Sequence, residues 1–295
     1  MYKLVFDIGS NRLQFTEACL KEHSGCKVVA VDAIDYSLNS NAWGRKLIYL
    51  NDLYGGKIKY YNKVVCEKLG DRRHFYLNGD EPGMSTCSRD FIEKGRFALG
   101  NKHILEEYRA QGAIKGSYRD AITGKIVQVD SANLSLEEFV KLIEKLGGVK
   151  AFLAKVKEAN QNGYRTHEIE TVTLDHLIEE NGTPDLIKID VEGYEDVVLS
   201  GLTKKANKIC FEFNEEMDNV LYNCLDALSS LGYDKFGVSA YLEEGDKYKF
   251  ISYDPGGDTY LREPKGYFSL EQIKGDLSEA IVRDRRINWG MVWAK

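Results

Sequence analysis

The clearest indication of the fold comes from the segment Pro184-Asp185-Leu186-Ile187-Lys188-Ile189-Asp190-Val191-Glu192-Gly193-Tyr194-Glu195. Residues 186–190 form a short, mostly apolar run that is typical of a buried strand, and the glycine turn after it leads into a helix reaching about Leu202. The same order of strand, glycine turn and helix occurs at the N-terminus, where Lys3–Phe6 is followed by Asp7-Ile8-Gly9-Ser10-Asn11. Repeated units of this kind build parallel sheets covered by helices, so the sequence predicts an α/β fold.

Other short runs along the chain also predict strands, because they are apolar or alternate between apolar and polar residues. They lie at Lys27–Val31, Lys63–Val65, His74–Leu77, Glu168–Val172, Lys208–Phe213, Phe236–Leu242, Lys247–Tyr253 and Asn288–Trp293. The run at Lys63–Val65 is predicted to be the third strand of the sheet. The segments before and after the turn Glu244-Gly245-Asp246 are predicted to pair in antiparallel fashion.

The stretch 95–167 interrupts this alternation of strands and helices. It contains a predicted hairpin over Ser117–Val129, a helix that begins at Ser135, and a second helix over Val149–Glu158. We therefore expect one Rossmann-like core made of residues 1–94 and 168–295. Residues 95–167 are expected to form an inserted α+β segment that acts as a lid or a substrate-binding subdomain.

Composition excludes several classes of protein. Of the 295 residues, 43% are hydrophobic and 29% are charged, as in an ordinary globular protein, and no apolar run is long enough to span a membrane. The net charge of −6 argues against a nucleic-acid partner. The six cysteines form no Cys-x-x-Cys pair and the N-terminus lacks the pattern of a secretion signal, so free thiols and a cytoplasmic location are expected.

Polar residues follow the first two predicted strands, at the edge where parallel sheets bind ligands. The first strand is followed by Asp7, Gly9, Ser10 and Asn11, and the second by Asp32. A carboxylate in the second position can accept hydrogen bonds from both hydroxyls of a ribose. The alternative interpretation is that Asp7 and Asn11 cap the following helix and that Asp32 is a surface acid.

The glycine count in the first loop narrows the class of ligand. Residues 7–14 hold one glycine, whereas the dinucleotide fingerprint needs three, so a pyrophosphate is not favoured. One glycine flanked by acids fits a nucleoside that carries a cationic or zwitterionic tail. S-adenosylmethionine (SAM) is a ligand of this kind.

Three further segments carry a specific resemblance. Residues 170–178, 184–195 and 198–201 contain a Thr-Leu-Asp helix start, a Lys-Ile-Asp-Val-Glu-Gly-x-Glu strand end and a Val-Leu-x-Gly helix end. Together they resemble the FkbM family of SAM-dependent methyltransferases. Residues 5–11 are similar to the first motif of that family and residues 75–86 to its middle motif. The similarity covers residues 3–90 and 168–235.

The resemblance implies a class I methyltransferase sheet of seven strands, six parallel and the last one, Asn288–Trp293, reversed and inserted near the edge. It also implies SAM as the cofactor, with Asp32 on the ribose and Glu67, after the third strand, near the adenine. The methionine half of SAM would lie against Asp7, Gly9, Ser10 and Asn11. Its carboxylate would be held by Ser85 and Thr86, although an ordinary turn explains these two residues as well.

Three carboxylates are the candidate catalytic groups: Asp190 and Glu192 after the fourth strand and Glu212 in the fifth. One of them could accept a hydroxyl proton during methyl transfer, or together they could hold a divalent cation. Alternatively, Glu192 caps its helix and pairs with Lys188, which leaves Asp190 as the chemical group. The resemblance implies O-methyl transfer to a hydroxyl of a sugar, a glycan end or a small metabolite.

One departure from the family pattern leaves other functions open. Leu13 stands where the family usually has a second glycine, and a leucine there could weaken SAM binding, shift the helix or mark a degenerate domain. A non-catalytic binding module is therefore one alternative. An oxidoreductase that uses NAD or a nucleotide sugar is another, but the single glycine and the lack of a Tyr-x-x-x-Lys dyad argue against it.

Overall fold

The computed structural model describes residues 1–35, 42–78, 85–94, 105, 108–110, 112, 114–119, 126–145, 165–214, 217–244, 247–250, 263–264, 266–278 and 287–295. Backbone contacts divide the chain into two compact units, one of residues 1–88 and 164–295 and the other of residues 89–163. The helix predicted over Val149–Glu158 and the turn at Thr123-Gly124 lie outside the described residues. The role expected for residues 95–167 stays a prediction.

Thirteen strands and eight α-helices are described. The strands are β1 (Leu4–Ile8), β2 (Lys27–Asp32), β3 (Ile58–Asn62), β4 (Val64–Val65), β5 (Arg72–Leu77), β6 (Lys115–Arg119), β7 (Ile126–Asp130), β8 (Arg165–Val172), β9 (Leu186–Ile189), β10 (Ile209–Asn214), β11 (Phe236–Glu244), β12 (Lys247–Phe250) and β13 (Ile287–Ala294). The helices are α1 (Gln14–Glu22), α2 (Ala42–Leu53), α3 (Arg89–Lys94), α4 (Leu136–Lys145), α5 (Leu174–Asn181), α6 (Glu195–Ser200), α7 (Asp218–Ser230) and α8 (Leu270–Leu277).

The larger unit is built on a sheet of eight strands in the order β12-β11-β13-β10-β9-β1-β2-β3. Neighbours from β3 through β10 are parallel, and β13 lies antiparallel between β10 and β11. Six strands therefore run in one direction and the last strand of the chain is reversed and inserted, so the predicted Rossmann-like fold is confirmed. The eighth strand, β12, pairs with β11 as the predicted antiparallel hairpin.

The third strand of this sheet differs from the prediction. It is β3, Ile58–Asn62, which pairs with β2, whereas Lys63–Val65 supplies the short strand β4 of a separate sheet in the order β4-β8-β5. The sequence of β3, Ile-Lys-Tyr-Tyr-Asn, is half polar because β3 is an edge strand. Edge strands lack the continuous apolar character by which buried parallel strands are found.

The core of the larger unit lies against the central strands. Val5 and Phe6 of β1 and Ile187 and Ile189 of β9 are fully buried, because parallel strands in the middle of such a sheet are covered on both faces. In helix α1 the side chains of Phe15, Cys19 and Leu20 are buried, at a spacing that gives the helix one apolar face.

Gly9 brings the ends of two central strands together. It has φ of +73°, and a Cβ atom built on it would lie 1.8 Å from the carbonyl oxygen of Asp190. Any side chain here would therefore collide with backbone. The loop after β1 lies directly against the end of β9 for this reason, and residues from both loops share one cleft.

The second unit, described by itself, contains α3, the antiparallel pair β6–β7 and α4. Its apolar cluster includes Leu105, Phe139 and Ile143. Helix α4 begins as the sequence predicts: Ser135 Oγ accepts from the N–H of Glu138 at 3.2 Å, and Ser135 N–H donates to Glu138 Oε2 at 2.8 Å. Across the described parts of both units, no helix has the length and apolar character that crossing a bilayer requires.

Candidate active site

A cleft opens at the carboxyl ends of the central strands. It encloses about 800 Å³ of empty space, including open solvent at its mouth. Eight of the predicted site residues line it: Gly9, Asn11, Asp32, Ser85, Thr86, Asp190, Glu192 and Glu212. The sheet topology brings these residues together although they are up to about 200 positions apart in the chain.

Three other predicted residues lie outside this lining. Asp7 and Ser10 are buried, and Ser10 Oγ has no hydrogen-bond partner among the described residues. Glu67 forms an ion pair with Arg73, which also pairs with Asp71 at 2.9 Å. Glu67 follows β4 rather than the true third strand of the large sheet, and its predicted contact with adenine stays a prediction.

Asp32 is held in place by two backbone donors. Its Oδ2 accepts from the N–H of Asn11 at 2.7 Å, and its Oδ1 accepts from the N–H of Ile34 at 2.8 Å. Burial raises the pKa of Asp32 from 3.8 to about 6, although the two amide donors act in the opposite direction. Each carboxylate oxygen can accept a second hydrogen bond, so the group is oriented for a pair of hydroxyls in the cleft.

A buried lysine connects the loop after β1 to the end of β9. Lys188 Nζ donates to the carbonyl oxygen of Gly9 at 2.8 Å and lies 3.3 Å from both Asp7 Oδ1 and Asp190 Oδ2. Asp7 Oδ2 also accepts from Thr16 Oγ1 at 2.6 Å. Burial raises the pKa of Asp7, while the Lys188 ammonium pulls it down. Lys188 therefore fixes Asp190 relative to the first loop.

The turn after β9 is fixed by two side chains. Glu195 is buried, and its Oε1 accepts from the N–H of Val191 at 3.0 Å and of Gly193 at 3.3 Å. Burial raises the pKa of Glu195 to about 7. Thr86 Oγ1 donates to the carbonyl oxygen of Glu192 at 2.7 Å. These bonds hold Glu192 at φ of +57°, a left-handed conformation that non-glycine residues adopt rarely.

Asp190, Glu192 and Glu212 form one acidic cluster. One carboxylate oxygen from each residue lies within 4.8 Å of the other two. Burial and the charges of Asp190 and Glu192 raise the pKa of Glu212 well above its usual range. Carboxylates this close share a proton or need a cation beside them. The cluster can therefore accept a proton or hold a positively charged partner.

Leu13 lies away from the cleft. Its φ of +57° is the left-handed conformation that a glycine adopts without strain. This explains in physical terms why the family that the sequence resembles usually has glycine at this position. The Leu13 side chain is fully buried and belongs to the core cluster that also contains Phe15 and Cys19. The backbone of the loop therefore keeps the turn that a glycine would give, and the leucine side chain packs in the core.

The sequence reasoning missed several residues of the site. Ile34, Val64, Val65 and Phe75 give the cleft an apolar wall, and their sequence pattern does not differ from that of core residues. Glu195 could be found only as the last residue of the strand-end motif. Lys188, which the sequence suggests as a possible partner of Glu192, forms ion pairs with Asp7 and Asp190.

Comparisons with known proteins agree with this geometry at the level of family. The model of the methyltransferase FkbM domain matches residues 7–235, which is more than half of the chain. No curated protein sequence matches. One solved structure that matches is precorrin-6y C5,15-methyltransferase from Geobacter metallireducens GS-15, at 6% identity over 99% of this chain and 79% of that chain, with a TM-score of 0.34. A TM-score this low carries no argument about function.

Proposed function

Because the chain belongs to the FkbM methyltransferase domain family, we propose that its cleft binds SAM and that it methylates a hydroxyl of a sugar, a glycan end or a small metabolite. The observation that carries the proposal is the position of Asp32. Its carboxylate is oriented by Asn11 and Ile34 in the same cleft as the acidic cluster of Asp190, Glu192 and Glu212. A ribose-binding acid and proton-accepting acids in one cleft are what this transfer requires.

The residues of the cleft fit SAM in four respects. Asp32 can accept from the ribose hydroxyls, and the apolar wall that includes Val65 and Phe75 suits an adenine ring. Asn11 Oδ1 is buried without a hydrogen-bond partner among the described residues, so an ammonium group would satisfy it. When bound, SAM supplies an electrophilic methyl group on a positively charged sulfur. The carboxylates at this end of the cleft favour such a charge.

The acidic cluster accounts for activation of the acceptor. A hydroxyl oxygen can form a bond to carbon only as it loses its proton, and Asp190 and Glu212 are placed to take up that proton or to hold a cation that makes the hydroxyl more acidic. Lys188 and Glu195 keep the cluster in position through the contacts described above. The proton is taken up within the cleft, so no charge has to cross the sheet.

Two broader features belong to the same proposal. All six cysteines are free thiols, which supports a reducing, cytoplasmic environment. A lid or substrate-binding role for residues 95–167 rests on the sequence alone. The acceptor is proposed to be a small molecule or a glycan rather than a nucleic acid, because the chain has a net negative charge.

The test is transfer of a labelled methyl group from SAM to a panel of glycans and lysate metabolites. We expect one acceptor class to gain label with the natural chain. Asp190→Asn should keep SAM binding but lower turnover by about 100-fold or more, since it removes a proton-accepting group. Asp52→Asn, at an exposed position on α2, is the matched control. Full turnover in Asp190→Asn would show that Asp190 takes no part in catalysis.

A further inference from the structure

Three carboxylates lie close together beyond the end of β9 and beside the neighbouring strand β10. One oxygen from each of Asp190, Glu192 and Glu212 lies within 4.8 Å of the other two. Oxygens on opposite sides of a hard divalent cation are about 4–5 Å apart, given bond lengths of roughly 2.1–2.5 Å. No pair of these oxygens is farther apart than the most widely separated ligands of one such cation, so the three side chains are close enough to surround a single ion.

A second observation in the same cluster is that one carboxylate oxygen of Glu212 lacks a hydrogen-bond partner within the part of the chain that the structure describes. Glu212 lines the cleft, is 9% exposed, and its Oε2 has no hydrogen-bond partner among the described residues. A buried carboxylate oxygen without a partner is costly, because folding has removed its water and supplied nothing instead. A cation in the cleft would supply what this oxygen lacks.

The nearby lysine does not fill this role. Lys188 Nζ lies 3.3 Å from Asp190 Oδ2, but it lies equally close to Asp7 Oδ1 and donates to the carbonyl of Gly9. One ammonium is therefore divided among two carboxylates and a carbonyl. It offsets only part of the negative charge of Asp190.

We propose that Asp190, Glu192 and Glu212 bind one hard divalent cation, Mg²⁺ or Mn²⁺, and that the acceptor ligates this cation through two neighbouring oxygens, as a vicinal diol does. This inference deepens the proposed function and rests on it. Carboxylate oxygens are the ligands that such cations prefer. Three protein ligands leave about half of an octahedral shell open, which is enough for two acceptor oxygens.

Methyl transfer from SAM to the acceptor hydroxyl needs no further reactant. The cation draws electron density from the acceptor hydroxyl, whose proton leaves to solvent at the open mouth of the cleft. The oxygen electron pair forms the new carbon–oxygen bond while the carbon–sulfur bond breaks, and that electron pair stays on sulfur. The products are the methyl ether, S-adenosylhomocysteine and one proton.

The test is a titration of the chain of residues 1–295 with Mn²⁺ alone, in which electron paramagnetic resonance measures the concentration of the free ion. We expect one Mn²⁺ per chain with a dissociation constant of about 1 mM or tighter. Glu212→Gln and Glu192→Gln should each weaken binding by about tenfold or more, since each removes a charged ligand. Glu179→Gln, at an exposed position on α5, should bind like the natural chain.

Either of two results would overturn the cation site: no Mn²⁺ bound by the natural chain at ~10 mM, or equal affinity in the natural chain and both ligand variants. Because Glu192 is more exposed than Glu212, its variant serves if Glu212→Gln fails to fold. SAM binding is measured separately by calorimetry. A chain that binds Mn²⁺ but not SAM supports the cation site and contradicts the proposed function, and the reverse pattern contradicts the cation site alone.

Discussion

The backbone N–H of Asn11 donates a 2.7 Å hydrogen bond to Asp32 Oδ2, which joins the loop after β1 to the end of β2. The acid proposed to bind the ribose therefore also fixes the loop proposed to bind the methionine half of SAM. Ile34 donates to the other oxygen of the same carboxylate. Loss of this one side chain should affect both halves of the cofactor site.

Replacing Asp32 with alanine should weaken SAM binding by about 30-fold or more, because hydrogen bonds to a charged group contribute roughly 1.5–3 kcal/mol each. Calorimetry with SAM measures the effect, and urea unfolding shows whether the variant is folded. Asp52→Ala, at an exposed position, is the control. Unchanged SAM affinity in Asp32→Ala would show that the ribose lies elsewhere.

The pKa of Asp32, about 6, predicts how SAM binding depends on pH. The ionised form accepts from the ribose hydroxyls, so affinity should be full above about pH 7 and should fall by about tenfold toward pH 5. Folding of the free protein responds in the opposite sense. A raised pKa gives stability that is present below the unfolded value of 3.8 and is lost as the pH rises through 6.

Binding isotherms for SAM at several pH values between 5 and 8 check this prediction. An affinity that stays constant or strengthens toward pH 5 would mean that Asp32 does not bind the cofactor as a carboxylate.

Replacing Lys188 with methionine should destabilise the fold by about 3 kcal/mol at neutral pH, because it leaves the carboxylate of Asp7 buried without its cation. The loss should be smaller in acid, where Asp7 takes up a proton. The double variant Asp7→Asn with Lys188→Met should recover part of the stability. Urea unfolding measures all three chains, and a loss below about 1 kcal/mol in the single variant would contradict the assigned role.

Substitutions at Leu13 should show an unusual order of stability. Leu13→Ala leaves a cavity in the core and keeps a Cβ at φ of +57°, whereas Leu13→Gly leaves a similar cavity but removes the backbone strain. We expect both variants to be less stable than the natural chain. The loss in free energy of unfolding should be about 2–4 kcal/mol for Leu13→Ala and about 1 kcal/mol smaller for Leu13→Gly.

Thermal or urea unfolding measures the stability of the natural chain, Leu13→Ala and Leu13→Gly. SAM affinity should change little in either variant, since the Leu13 side chain lies in the core cluster rather than along the cleft. A large gain in SAM affinity in Leu13→Gly would show that the leucine does hinder the cofactor, as its departure from the family pattern suggested.

The sequence was sufficient to predict which carboxylates meet. Asp190 directly follows β9 and Glu212 lies in the neighbouring parallel strand β10, one residue after the one that pairs with the last residue of β9. It was insufficient to locate the third strand of the large sheet, because β3 is half polar and the apolar run after it, Lys63–Val65, has the pattern expected of a buried strand. The apolar wall at Val65 and Phe75 could not be distinguished from core, since burial against a ligand and burial against protein select the same residues.

Calorimetric titration of the chain of residues 1–295 with SAM, S-adenosylhomocysteine and NAD decides whether the cleft is a SAM site. We expect one molecule of SAM to bind per chain, S-adenosylhomocysteine to bind at the same site, and NAD not to bind. At a ligand concentration of ~100 times the dissociation constant, SAM should also stabilise the fold by about 2.7 kcal/mol. If NAD binds and SAM does not, the cleft is not a SAM site.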